Sequence, residues 1–206
     1  MLNLEKTIKY TLEEKEMIAA LDLASGKSWT KRTNAMEDLK KRLRKELDII
    51  QEGRCAYCGN VLYVTSALEI EHIAPKGKDL YPEFTFNCKN LVAACSYCNG
   101  CHKKHSKDVV SKRHSEYEKC EFKIVHPYLD NPNDHILWTD DRKVIIERAA
   151  SSPKGQFTIS FFGLEEPPHT YERIKDYNLR KQLKDTPYEG RRLSNEEIAQ
   201  LLDELV

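Results

Sequence analysis

Two cysteine pairs, Cys55-Ala56-Tyr57-Cys58 and Cys95-Ser96-Tyr97-Cys98, bracket a segment that carries Glu71-His72-Ile73-Ala74-Pro75 and Asn90-Leu91, and Asn99 directly follows the second pair. Four thiolates offered as two i,i+3 pairs can close a tetrahedral structural zinc, which then fixes in space whatever the intervening chain carries. Here it carries a carboxylate, a histidine and an asparagine. Histidine titrates near neutral pH, so His72 can take a proton from water as a general base. A carboxylate and an amide oxygen suit a hard ion, Mg²⁺ or Mn²⁺, better than zinc. A base for water and an electrophile for the charged phosphate are what phosphodiester hydrolysis needs. In a regular pleat Glu71 and His72 point to opposite faces, so both reach one site only if the strand twists at its end.

The zinc alone leaves other functions open. Zinc ribbons, LIM-like modules and RNA-binding knuckles use the same pairs, and a non-catalytic module that binds nucleic acid or scaffolds an assembly remains the rival. Cys98 and Cys101 form a third pair of the same spacing, and Cys101, His102 and His105 could join a metal site. The symmetry of Cys55, Cys58, Cys95 and Cys98 about the insert favours those four. Cys88, Cys101 and Cys120 read as ordinary reduced thiols, an odd remainder that fits poorly with a secreted disulfide framework. His114, His126, His135 and His169 show no ligand spacing.

The elements that must position these groups are legible in part. Thr11 with Glu14 is a capping box that starts a helix over about 11–24, ended by Gly26. Met36, Leu39, Leu43, Leu47 and Ile50 recur at three and four residues and predict an amphipathic helix from about Asn34 to Gln51. Its apolar stripe exceeds what a minimal zinc module needs and predicts a partner or self-association surface. Strands are expected at Val61–Val64, Leu68–His72 and Leu91–Cys95, with a long loop between Ala74 and Lys89. Asn99 reads as the N-cap of an exposed helix from Gly100 to about Lys119. Beyond the turn at 127–133, strands are expected at 136–138, 144–147 and 157–162, then helices at 171–183 and 194–205. Ser194 and Glu197 form the second capping box.

The chain has 206 residues, 40% hydrophobic and 32% charged, the composition of a soluble globular protein with solvated helices. Residues 1–51 read as a helical lead, 52–120 as the zinc-stapled module, and 121–206 as a small sheet with helices packed on it. Charges at Glu5, Lys6 and Lys9 break any apolar run near Met1, so a signal peptide or spanning helix is not expected and the chain reads as cytoplasmic. The 33 basic and 33 acidic side chains cancel. Phosphate neutralisation supplies most non-specific affinity for nucleic acid, so either the basic runs at 40–45 and 103–113 concentrate charge or a partner supplies the surface.

The constellation from Cys55 to Asn99 resembles the zinc-stapled branch of the HNH endonucleases, over roughly residues 50–115. The resemblance implies an α+β, ββα-metal nuclease core with structural zinc, flanked by helices and a small antiparallel sheet. It places metal binding on Glu71, where many relatives have Asp, the base on His72, a loop-bracing role on Asn90, and a second metal ligand on Asn99. Relatives often carry lysine three residues after that Asn. Here the position is His102, so phosphate contact is expected from Lys103 or His102. The helical lead and His126-Pro127-Tyr128-Leu129-Asp130-Asn131-Pro132 look, more weakly, like the PtuB-type HNH nucleases of the Septu and retron anti-phage systems. That resemblance implies a PtuA-like ABC-type ATPase partner, with or without a retron, and DNA or tRNA as substrate; a modification-dependent restriction enzyme is the outlying case.

Overall fold

The computed structural model describes residues 1–64, 67–100, 103–139, 143–147, 152–190 and 193–204. Helix α1, Leu12–Ala19, starts at the expected box: Thr11 Oγ1 accepts from Glu14 N, and the Glu14 carboxylate accepts from Thr11 N. It ends earlier than expected, and Leu23–Ser25 forms a separate 3₁₀ turn closed by Gly26 in the left-handed region. A Cβ at Gly26 would strike the Lys78 backbone. Glycine there lets the N-terminal segment lie against the loop that follows the Glu71-His72 strand.

Helix α2, Asn34–Ile50, buries Met36, Leu39, Leu43 and Leu47. The stripe expected to need an outside partner is therefore covered by the chain's own core. At its C-terminus the buried Gln51 amide donates to Ala93 O (2.9 Å) and Arg54 O (2.7 Å) and accepts from Ala93 N (2.7 Å). Strand β2, Leu91–Ala94, is buried throughout and pairs antiparallel with β1, Glu69–His72, setting His72 opposite Leu91 and Glu71 opposite Val92. Gln51 thus caps the edge of β2 that β1 leaves open.

Three expectations are corrected. Val61–Val64 is a turn, with only an Arg54–Val61 bridge and Tyr63 at φ 70, because the local backbone bonds close the first knuckle: Cys55 N to Asn60 O, Gly59 N to Cys55 O, Leu62 N to Gly53 O. The helix expected from Gly100 to Lys119 does not form among the described residues of that span; the helical turn, α3, is Ser96–Asn99, with Cys95 at its N-cap position. Asn99 ends that turn instead of starting a helix. The chain then folds back, with Lys104 N and His105 N donating to Cys98 O and Asn99 O, and forms strands β3, Val110–Lys112, and β4, Glu121–Phe122. Finally, 157–162 is not a strand but part of helix α4, Pro153–Phe162, started by the Ser152 cap and Pro153 and ended by Gly163 in the left-handed region.

The other C-terminal elements match. Strands β5, Leu137–Trp138, and β6, Ile146–Glu147, pair antiparallel. Helices α5, Pro167–Leu183, and α6, Asn195–Glu204, follow, and Ser194 and Glu197 exchange the capping bonds. One apolar cluster runs from Leu4 to Leu164, with Tyr57 of the first knuckle stacked on Phe162 of α4 at 4.2 Å. Among the described residues no helix is long and apolar enough to cross a membrane.

Helix α4 packs through Gly155, where a Cβ would run into the His135 carbonyl. Alanine ordinarily stabilises a helix interior over glycine by up to about 1 kcal/mol. Here we expect the opposite sign: Gly155→Ala should lower the free energy of urea unfolding by about 2 kcal/mol, as over-packing does, and an unchanged or raised midpoint would contradict the packing described.

Candidate metal centre and cleft

The first knuckle is a tight turn fixed by its own backbone bonds, and the second is α3 at the end of β2. Ala56 N donates to Ala93 O (2.9 Å), so the two knuckles meet across the free edge of β2. The four thiol sulfurs of Cys55, Cys58, Cys95 and Cys98 lie within 4.8 Å of one another, with Cys58 and Cys95 3.9 Å apart. A tetrahedron with Zn–S bonds of about 2.3 Å has edges of about 3.8 Å, so the four residues fit zinc. Cys88 and Cys120 are free thiols away from the cluster, and Cys101 and His102 lie outside the described residues. Arg54 pairs with Asp176 (3.0 Å) and Asn60 bonds His169 Nδ1 (3.1 Å), tying the first knuckle to α5.

Beside the thiols opens a cleft of about 470 Å³ lined by Glu69, Glu71, His72, Lys76, Asn99 and His105, among others. Glu71 and His72 both reach it, so their opposed directions in the pleat do not part them. The Glu71 carboxylate is buried, with Lys104 Nζ 3.3 Å from Oε1, yet Oε1 has no hydrogen-bond partner. Burial outweighs the attraction of Lys104 and raises the Glu71 pKa to about 7. Burial also holds the His72 imidazole well below its ordinary pKa, reinforced by the charges of Lys76 and Lys104. The ring is therefore neutral at pH 7, with Nε2 buried and unpartnered. Trp29 meets its face edge-on at 4.6 Å.

Asn90 is fully buried and uses its whole amide. Oδ1 accepts from Ala74 N (2.6 Å) and Tyr117 Oη (3.0 Å), and Nδ2 donates to Ala74 O (3.1 Å) and Phe84 O (2.9 Å). It clamps the turn after His72 to the loop before β2. Asn99, half-buried, donates to Glu69 Oε2 at 2.6 Å. Lys103 is not brought to the cleft: its amine pairs with Glu166 (3.0 Å) and lies 5.3 Å from the Tyr97 ring centre. Lys104 is the lysine at Glu71, with no exposed surface, and it also donates to Lys107 O.

Sequence reasoning missed Glu69, Lys104, Trp29 and Gln51. Glu69 carried a signal, since a residue two before Glu71 shares its strand face. The others depend on tertiary placement and had none.

Residues 55–107 match the family model described as HNH endonuclease. Over 164 residues the chain is 30% identical to Septu protein PtuB of Bacillus mycoides (strain KBAB4), an alignment covering 70% of this chain and 54% of that protein. The chain spans about half the length of that relative.

Two outcomes follow from the site. Cys55→Ser or Cys95→Ser should yield unfolded or insoluble protein, because metal binding and folding are coupled, and elemental analysis should find about one zinc per wild-type chain. Soluble, folded wild-type protein without zinc, purified free of chelator, would refute the cluster's role. Glu71 supplies a pH signature. Its folded pKa is raised from 4.5 to about 7, so between those values the folded state holds a proton that the unfolded state has lost. Stability from this group is full below the lower value, falls as pH climbs to the upper one, and is flat beyond. In buffer without added divalent ions, the stability of Glu71→Gln relative to wild type should therefore rise between pH 5 and pH 8, and a difference independent of pH would show that Glu71 ionises normally.

Proposed function

We propose that the HNH endonuclease domain at residues 55–107 hydrolyses phosphodiester bonds of DNA or tRNA, with His72 as general base and Glu71 and Asn99 holding a hard divalent ion. The observation that carries this reading is the cleft, where a neutral buried imidazole with an unpartnered Nε2 and a buried carboxylate held by Lys104 stand together. A buried polar atom left unpaired, as His72 Nε2 is, is costly unless something else satisfies it, and the hard oxygens of Glu71, whose Oε1 faces Lys104 Nζ at 3.3 Å, and of Asn99 fit Mg²⁺ or Mn²⁺. When bound, such an ion supplies electrostatic stabilisation of the charge that builds on the phosphate.

The chain's own residues do the rest. His72 takes the proton of the attacking water at Nε2, the nitrogen left without a partner. Asn90 holds the turn that carries the imidazole. Glu69 bonds the Asn99 amide nitrogen and so leaves its oxygen for the ion. Lys76, half-buried on the cleft wall, is better placed for a phosphate than Lys103, whose amine is occupied by Glu166.

The similarity to a Septu protein PtuB supports a cytoplasmic anti-phage effector restrained by a PtuA-like ABC-type ATPase, with or without a retron. The charge distribution agrees. Within the basic run of α2, Lys40 pairs with Glu37 and Arg42 with Glu14 and Glu46, which leaves Lys41, Arg44 and Lys45 exposed and lowers the charge this face offers to a phosphate backbone. With 33 basic and 33 acidic side chains in balance, a partner would add to the grip that these three cations give.

The test presents plasmid DNA and total tRNA with Mg²⁺ or Mn²⁺, with and without the ATPase. His72→Ala should lower the cleavage rate by about 10²–10⁴-fold while zinc content and unfolding midpoint stay at wild-type values, and Asn99→Ala should act similarly through the ion. If an active wild-type complex and its His72→Ala counterpart cut equally fast, the base assignment fails and a zinc scaffold takes its place.

A further inference from the structure

Tyr117 and His126 lie behind the cleft, almost wholly buried, in a part of the chain to which neither the thiol cluster nor the cleft assigns a role. His126 opens the segment His126-Pro127-Tyr128-Leu129-Asp130, a turn closed by its own groups: His126 N donates to Asp130 Oδ2 (2.7 Å), and Asp130 N donates to His126 O (3.1 Å). Within that turn Tyr128 N lies 3.1 Å from His126 Nδ1. A backbone N–H can only donate, so Nδ1 must present its lone pair, and a neutral ring then carries its proton on Nε2. Burial keeps the ring neutral by lowering its pKa to about 3.

From there the hydrogen-bond direction is determined atom by atom. Nε2 stands 2.9 Å from Tyr117 Oη and donates to it. The Tyr117 hydroxyl is left to donate onward to Asn90 Oδ1, at 3.0 Å. Asn90 Oδ1 also receives Ala74 N, while its Nδ2 donates to the carbonyls of Ala74 and Phe84. A flipped Asn90 amide would set N–H against both Ala74 N–H and Tyr117 O–H. Only one arrangement of protons satisfies the chain. Tyr128 of the same turn donates from its hydroxyl to Leu91 O (3.1 Å), the residue paired with His72 across the ladder.

We infer that His126 and Tyr117 are positioning residues: the tautomer fixed by the 126–130 turn orients the Asn90 amide, which seats Ala74 and, two residues earlier, His72. The inference rests on the assignment of His72 as the base. Tyr117 also packs against Phe84 at 5.1 Å and Phe122 at 5.5 Å, so removing its oxygen alone separates positioning from filling space.

In Tyr117→Phe, backbone amide exchange at Ala74 should quicken by about tenfold, the effect of losing one buried hydrogen bond. In the nuclease assay with its ATPase, kcat should fall by about tenfold with KM unchanged, since substrate binding is untouched. Zinc content should stay at the wild-type value. His126→Gln, which keeps an N–H near the Nε2 position, should return kcat to within about threefold of wild type, whereas His126→Leu should match Tyr117→Phe. Wild-type Ala74 exchange and wild-type kcat in folded Tyr117→Phe, or Gln no better than Leu at position 126, would overturn the inference. If the unaltered protein cuts neither nucleic acid, the base assignment fails, and Ala74 exchange in the Phe and Gln variants still decides whether the chain orients Asn90.

Discussion

A pair of strands four residues long cannot hold its own register in water, and the cleft depends on such a pair. β1 and β2 keep theirs because β2 is gripped from every side. β1 takes one edge. On the other, Ala93 exchanges bonds with the Gln51 amide and accepts from Ala56 of the first knuckle. The end of β2 runs into Cys95, whose sulfur closes with three others within 4.8 Å. The thiol cluster brings together two points some forty residues apart in sequence, and a zinc held there would close the loop that carries Glu71, His72 and Asn90. Closing a loop of that length removes much of the unfolded chain's freedom, which a four-residue ladder could not offset by itself.

That rigidity allows ionisable groups to be buried where they would otherwise be costly. Lys104 has no exposed surface and Glu71 almost none, and their 3.3 Å approach is an ion pair without a well-formed hydrogen bond. Taking two charges out of water is only partly repaid by such a contact, so the pair is a poor stabiliser. Its effect is on protonation instead. A carboxylate pushed up to about 7 next to an imidazole pushed well below its ordinary range makes two groups titrate in the reverse of their usual order. Environments that separate ionisable groups in this way are concentrated at working sites, and the walls responsible include Trp29, which the N-terminal lead delivers.

Local signals told the truth wherever the chemistry was local. The Thr11–Glu14 and Ser194–Glu197 boxes, the α2 stripe and the two knuckles are each written within a few residues and each recur in the structure. Misreadings came where a pattern had two interpretations. Phe157–Phe162 is apolar enough for a strand, but Ser152-Pro153 before it and Gly163 after it are helix punctuation, and Gly155, Thr158, Ile159 and Phe162 bury one helical face. The lysine-rich stretch after Asn99 looked solvated, yet Gly100 stops the turn and Lys104 is drawn inside by Glu71, an event no window of sequence contains. Asn90 was legible by resemblance. The tyrosine and histidine behind it were not, since they meet only through the β3–β4 return and the 126–130 turn.

The same distinction bears on the surface that folding leaves exposed. A basic, amphipathic helix read from sequence offers two attractions to outsiders, an apolar stripe and a row of positive charge. Folding takes up the first and part of the second. The stripe of α2 is spent on the core, and its Lys40 and Arg42 are matched by Glu37, Glu14 and Glu46. Lys41, Arg44 and Lys45 stay exposed, so the positive charge of this face is thinned and not removed, and the balance of 33 basic and 33 acidic side chains keeps its long-range pull on a polyanion modest. The exterior of this helix is therefore left with part of its positive charge and none of its apolar stripe, a weaker lure for either kind of partner than its sequence suggests.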